Sequence, residues 1–174
     1  MTVTTIRALT PDEVDACAPA LAAVLADCVA GGASVSFMAD MTLADAEAFW
    51  RGVAQSARSD GRAVLVAEDA EGIAGVVEVI PAGVANQPHR ADIAKMLVHR
   101  RARGRGVAEA LMRAAEQAGR DMGKTLLTLD TVEGEAGERL YTRVGWTRVG
   151  AIPGYALFPD GTPAATVVFY KALA

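Results

Sequence analysis

The chain has 174 residues, 52% hydrophobic and 22% charged, with a formal net charge of −4. That length and apolar content suit one domain, residues 1–174, and argue against a disordered chain. An acidic balance argues against non-specific nucleic-acid binding, which needs a basic surface, and is compatible with a cationic substrate.

Residues 3–9 alternate enough to form a first strand. Thr10 caps the helix that follows, with Pro11 at its first position and Glu13 completing a capping box. An alanine-rich stretch carries this helix to Ala30, and Gly31 and Gly32 stop it. Cys17 and Cys28 fall on that one helix, roughly 16 Å apart at about 1.5 Å per residue, too far to bridge. Both are expected to be buried thiols in a reducing cytoplasm. The first residues carry no basic-then-apolar leader, and no apolar run is long enough to cross a bilayer, so a cytoplasmic location without a membrane partner is expected.

Asp40 or Thr42 caps a second helix that runs to about Arg58. Residues 59–61 turn, 63–67 form a strand, 68–72 a hairpin loop and 73–80 the returning strand. A loop over 81–88 leads to a strand over 91–98. Residues 104–122 read as a helix ended by Gly123, 125–130 as a strand and 135–144 as a short helix. Closing strands over 146–151 and 166–171 are joined by a loop holding Pro153, Gly154, Tyr155 and the turn at Pro159, Asp160 and Gly161. Trp146, Phe158 and Tyr155 on this closing segment are expected to offer a homodimer surface. The order β-α-α-β-β-β-α-β-α-β-β describes a mixed α/β fold, and no repeat or linker marks a second domain.

The sharpest local signal is the run Arg101, Ala102, Arg103, Gly104, Arg105, Gly106, between a strand and a helix that opens at Val107. Glycines let the backbone approach a ligand, the free amides of a first helical turn point outward, and the helix dipole favours an anion there. The three arginines add charge-assisted donors. Such a loop holds a pyrophosphate or phosphate. A dinucleotide-binding loop would need a small residue where Glu109 stands and an early β-α-β unit. A solvated arginine cluster at a tight turn is the bland alternative.

In its setting of elements, this loop resembles the coenzyme-A pyrophosphate loop of the GNAT N-acyltransferase superfamily, of pattern Arg/Gln-x-x-Gly-x-Gly. Residues 140–146 (Leu-Tyr-Thr-Arg-Val-Gly-Trp) resemble that family's Leu-Tyr-x-x-x-Gly-Phe segment. Residues 31–40 (Gly-Gly-Ala-Ser-Val-Ser-Phe-Met-Ala-Asp), 129–131, 147–150 and 153–155 resemble, more narrowly, the tabtoxin-resistance acetyltransferase type, which acetylates a small β-lactam-containing amine toxin. Many superfamily members carry an asparagine seven residues before the tyrosine, where Gly134 stands here.

The resemblance implies direct acetyl transfer from acetyl-CoA to an amine, with no metal and no acyl-enzyme. It implies that Tyr141 is the general acid and that Met96, Leu97 and Val98 offer main-chain groups to the pantetheine arm and the thioester carbonyl. Asp92, where the family often has glutamate, and Asp130 are the base candidates; on parallel neighbouring strands they would flank one pocket, and such a pair would raise one pKa toward a useful value. Asp130 can equally cap the turn after its strand. His89 and His99 border loops outside any motif and read as surface residues, and Glu78 as an ordinary outward strand glutamate. Residues 31–40 mix apolar side chains with hydroxyls, as a ligand pocket does. In the GNAT fold the first two helices and their connection cover the acceptor side. Ser34, Val35, Phe37 and Met38 are therefore expected to line the acceptor site opposite Tyr155. The rival expectations are a protein or peptide N-acetyltransferase and a silent acyl-CoA-binding sensor.

Overall fold

A computed structural model describes residues 4–173; Val3, where the first strand is expected to begin, lies outside them. The elements in chain order are β1 (Thr5–Leu9), α1 (Pro11–Ala16), α2 (Ala18–Ala30), α3 (Leu43–Asp60), β2 (Ala63–Asp69), β3 (Gly72–Pro81), β4 (Arg90–Val98), α4 (Val107–Asp121), β5 (Leu126–Val132), α5 (Ala136–Arg143), β6 (Thr147–Leu157) and β7 (Pro163–Ala172), with a 3-10 turn over Arg100–Ala102 after β4.

The seven strands form one sheet in the order β1-β2-β3-β4-β5-β7-β6. β4 and β5 pair in parallel; the other neighbours are antiparallel. Helices cover both faces. On one, Leu21, Leu25 and Trp50 of α2 and α3 pack over Val64 and Val76. On the other, Val107, Leu111, Met112 and Ala115 give α4 one apolar stripe, which packs with Leu127, Phe169 and Tyr141.

The expected first helix is two. Pro19 lacks an N–H and would clash with the carbonyl four residues earlier, so the chain breaks at Cys17 and Pro19 sits in the first turn of α2. Thr42, not Asp40, caps α3, in a capping box with Asp45. The closing strands are longer than expected. Pro153, Gly154 and Tyr155 belong to β6, bulging between the pairs Ile152 with Thr166 and Ala156 with Ala164, which spares Pro153 a ladder bond. Trp146, expected on a dimer surface, is instead buried, its Nε1 donating to Glu116 Oε1 at 2.9 Å. Tyr155 is exposed and Phe158 half-buried.

Candidate active site

The site begins with a separation of two strands. β4 is paired with β5 only from Arg90 to Asp92, opposite Leu126 to Thr128. Beyond that, β4 turns away. Its register with β3 passes from Glu78 opposite Ala94 to Val76 opposite Leu97, so Lys95 and Met96 together face the single Val77. This bulge bends the strand, and Lys95 takes a left-handed φ of 49°. The gap opens a cleft of about 1020 Å³. Met96, Leu97 and Val98 line one side and Asp130, Thr131 and Val132 the other.

At one end stands the glycine-rich loop. Gly104 and Gly106 have φ of 74° and 79°, a conformation that side chains resist. Gly106 is the N-cap of α4, and no side chain caps that helix. The first-turn N–H groups are therefore left for a ligand, beside Val107 and Ala108, which line the cleft. The three arginines diverge. Arg103 lines the cleft and its Nε donates to Val98 O at 3.1 Å. Arg105 is exposed and outside the cleft lining. Arg101 turns back onto the β2–β3 hairpin, pairing with Asp69 at 2.5 Å and donating to the carbonyls of Gly72 and Ile73 at 3.3 Å each. It braces the loop rather than facing the cleft. His99 also holds the loop, its Nδ1 accepting from Arg101 N at 3.2 Å while Nε2 lies 3.6 Å from Asp27.

Tyr141, on α5, is 5% exposed and lines the cleft, its ring centre 5.9 Å from that of Phe169 and 6.2 Å from that of Trp146. α5 comes close because residue 137 is glycine: a Cβ there would overlap Thr131 Oγ1 and touch the Tyr141 ring. Burial, and then the charge of Asp130, push the phenol above its ordinary range. Asp130 lies within β5, not at a strand end, and faces the cleft. Burial raises its carboxyl above the usual range; Lys95 opposes that rise and Asp92 adds to it. Asp92 does not line the cleft. It is held by Arg90 Nη1 and Thr128 Oγ1, themselves 2.8 Å apart. Gly134 has φ 79°, and its N–H donates to Glu138 at 2.6 Å.

The far end is walled by residues 33–38 and 155–158, which include Ser34, Val35, Phe37, Met38 and Tyr155. Ser34 Oγ donates to Leu157 O at 2.6 Å, and Ala39 N to Pro159 O at 3.0 Å, so the α2–α3 connection is tied to the β6–β7 hairpin. Phe37 and Phe49 pack edge to face, with ring centres 5.3 Å apart.

Sequence reasoning passed over Lys95, which lines the same cleft. The available signal was a lone charge inside the apolar run 93–98. Glu78 is a correction: it is 1% exposed and paired with Arg62 at 2.9 Å, because β3 is a central strand covered on both faces. Its carboxyl is raised by burial against the pull of Arg62. His89 is exposed. Among the described residues there is no helix long and apolar enough to cross a membrane.

Solved structures share this architecture. A ribosomal-protein-alanine N-acetyltransferase from Brucella melitensis matches at TM-score 0.79 and 23% identity over 97% of this chain and 99% of its own. A phosphinothricin acetyltransferase of the GNAT superfamily from Sinorhizobium meliloti, in complex with acetyl-CoA, matches at 0.83 and 16% over 98% and 89%. An acetyltransferase of the GNAT family from Streptococcus pneumoniae matches at 0.77 and 20% over 98% and 99%. At these identities the likeness is one of fold. The model of the acetyltransferase (GNAT) family matches residues 31–146, well over half of the chain and spanning both the loop and Tyr141. The chain belongs to the GNAT acetyltransferase family.

Proposed function

We propose that the protein transfers the acetyl group of acetyl-CoA directly to the amine of a small molecule. The observation that carries this reading is one cleft joining an uncapped, glycine-opened helix start at one end to Asp130 and Tyr141 in its middle. The amides after Gly106, with Arg103 beside them, suit the cofactor's pyrophosphate. The unpaired edge of β4 at Met96, Leu97 and Val98 suits its pantetheine arm. The resemblance of residues 31–40 and 153–155 to the tabtoxin-resistance type falls on the acceptor wall, which favours a compact, toxin-like amine as acceptor.

In this reading Asp130 takes the proton from the incoming amine, and the nitrogen attacks the thioester carbonyl. The C–N bond forms, the C–S bond breaks, and the electron pair leaves on sulfur. Tyr141 protonates that thiolate, whose parent thiol has a pKa of about 8.5, well below that of a phenol. Solvent returns the proton from Asp130 to Tyr141. A buried phenol stays protonated at neutral pH, as an acid must. Asp92, engaged by Arg90 and Thr128, contributes its charge to raising Asp130 rather than meeting the amine.

The test is free-thiol release from acetyl-CoA against a panel of amines, amino acids and dipeptides, in wild type and Asp130→Asn. Release is expected with at least one class of acceptor. Asp130→Asn should be slowest relative to wild type near neutrality and recover at high pH, where the amine is already neutral. A protein that binds acetyl-CoA yet releases no thiol with any amine is a binding domain instead, and an unchanged pH profile in Asp130→Asn assigns the proton elsewhere.

A further inference from the structure

Among the described residues, two that are not glycine have positive φ: Ser36 at 77° and Lys95 at 49°. They come from segments far apart in the chain, yet they touch, Lys95 Nζ donating to Ser36 Oγ at 3.3 Å. Both line the acceptor end of the cleft. A β-bulge of this kind is ordinarily given to glycine. Strain of this sort persists only where the surroundings hold it in place, and it gathers at ligand sites.

The charge on Lys95 is placed where a solvated surface lysine would not be. Its Nζ lies 5.4 Å from the centre of the Phe49 ring. Burial pushes its ammonium below the ordinary range, against the pull of Glu78 and then Asp130. Glu78 makes its ion pair with Arg62, at 2.9 Å, which also holds Asp60 at 2.6 Å. Lys95 forms no ion pair of its own among the described residues. Asp130 faces the cleft, where the proposed reaction needs it for the amine. The acceptor wall therefore displays an ammonium beside a hydroxyl and, within electrostatic reach, a carboxylate. Such a dipolar wall is complementary to an acceptor that carries both charges in the opposite order. An acceptor with cations alone would meet Asp130 with one end and be repelled by Lys95 at the other.

We propose that Lys95 and Ser36 form an anion-binding subsite of the acceptor pocket, and that the acceptor is a zwitterion bearing a carboxylate near the amine to be acetylated. This rests on the reading of the cleft as the transferase site. The amine goes to Asp130, and the carboxylate accepts hydrogen bonds from Lys95 Nζ and Ser36 Oγ. Because the carboxylate does not react, the pair acts on acceptor affinity and selection, not on the chemical step.

The experiment compares three matched sets of acceptors by thiol release: L-amino acids, their carboxamides, and the corresponding amines without the carboxylate. Wild type should prefer the acids by about tenfold or more in kcat/KM, the range of a hydrogen bond to a charged group. Lys95→Met should abolish that preference with the acetyl-CoA constant unchanged. Lys95→Gly, in which relief of the left-handed strain offsets part of the cost of a strand glycine, should do the same. Equal use of acids and carboxamides by wild type, a preference that survives in both variants, or acetylation confined to amines outside these three sets would overturn the proposal. Binding without turnover separates its failure from that of the transferase reading. The same amino acids should raise the melting temperature of wild type and not of Lys95→Met, whether or not thiol is released. No stabilisation of wild type together with no preference in turnover refutes the subsite.

Discussion

The two ends of the cleft are built on different plans. The end proposed for the cofactor's pyrophosphate comes from one run of chain, residues 99–107, and offers chiefly main-chain groups. Its left-handed residues are Gly104 and Gly106, for which that conformation costs almost nothing. The acceptor end is assembled from four distant segments: the α2–α3 connection, the β4 bulge, β5 and β6. It offers side chains, and its left-handed residues include a serine and a lysine beside Gly32 and Gly154. Backbone amides at a helix start recognise a phosphate whatever else the molecule does. Side chains brought together by the fold can be exchanged one at a time. In the proposed reading, the part of the reaction shared across the family falls on the relaxed loop, and the choice of acceptor on the strained wall.

The most direct way to break this division is at Gly106. Its φ of 79° costs a side chain about 1–2 kcal/mol, and a carboxylate there would face the anion the loop is meant to hold. Gly106→Asp is expected to weaken acetyl-CoA binding by at least about 100-fold, read by calorimetry, while far-ultraviolet circular dichroism remains that of wild type. Unchanged affinity would remove the loop from cofactor binding and with it the contrast between the two ends.

The same division explains what the sequence reveals. The loop can be read locally because its glycines, arginines and helix start are adjacent. The direction of Arg101 cannot, because Asp69, 32 residues away, decides it. Pro19 is plain in the sequence and marks the break at Cys17. Alternation fails for Glu78, since a strand covered on both faces has no outward side. Nothing near Lys95 announces a bulge; it arises from how β3 and β4 register. Asp92 and Asp130 fall on parallel neighbouring strands, yet Asp92 is held by Arg90 and Thr128 and is not part of the cleft wall. Residues whose role depends on neighbours in sequence are thus legible, and those whose role depends on cross-strand partners are not.

Tyr141 stands between the two ends and sharpens the comparison, since its substitution should touch neither binding step. Tyr141→Phe deletes a hydroxyl and keeps the ring against Phe169 and Trp146. Turnover should fall by roughly 10²-fold, the range for loss of a general acid. Affinity for acetyl-CoA, measured by titration, should stay within a factor of about two of wild type. Wild-type turnover in a folded Tyr141→Phe protein would return the ring to a packing role alone.

The smallest expected effect lies on the acceptor wall, at Phe37. This ring is tied to the fold through Phe49, which meets Trp50 edge-on with ring centres 5.1 Å apart, and it also lines the cleft. Phe37→Ala therefore removes two things at once. The packing loss lowers stability by less than the ~3–5 kcal/mol of a fully buried phenylalanine, because the ring is only half-buried and water already reaches the site. The wall loss widens the acceptor pocket beside Ser36 and Lys95. Acceptor KM should rise several-fold, while the acetyl-CoA constant and kcat at saturation change little, since nothing at Tyr141 or Gly106 moves. Steady-state kinetics with each substrate varied in turn separates these effects. A defect confined to the acetyl-CoA constant would place Phe37 on the cofactor side, and the two ends of the cleft would no longer be independent.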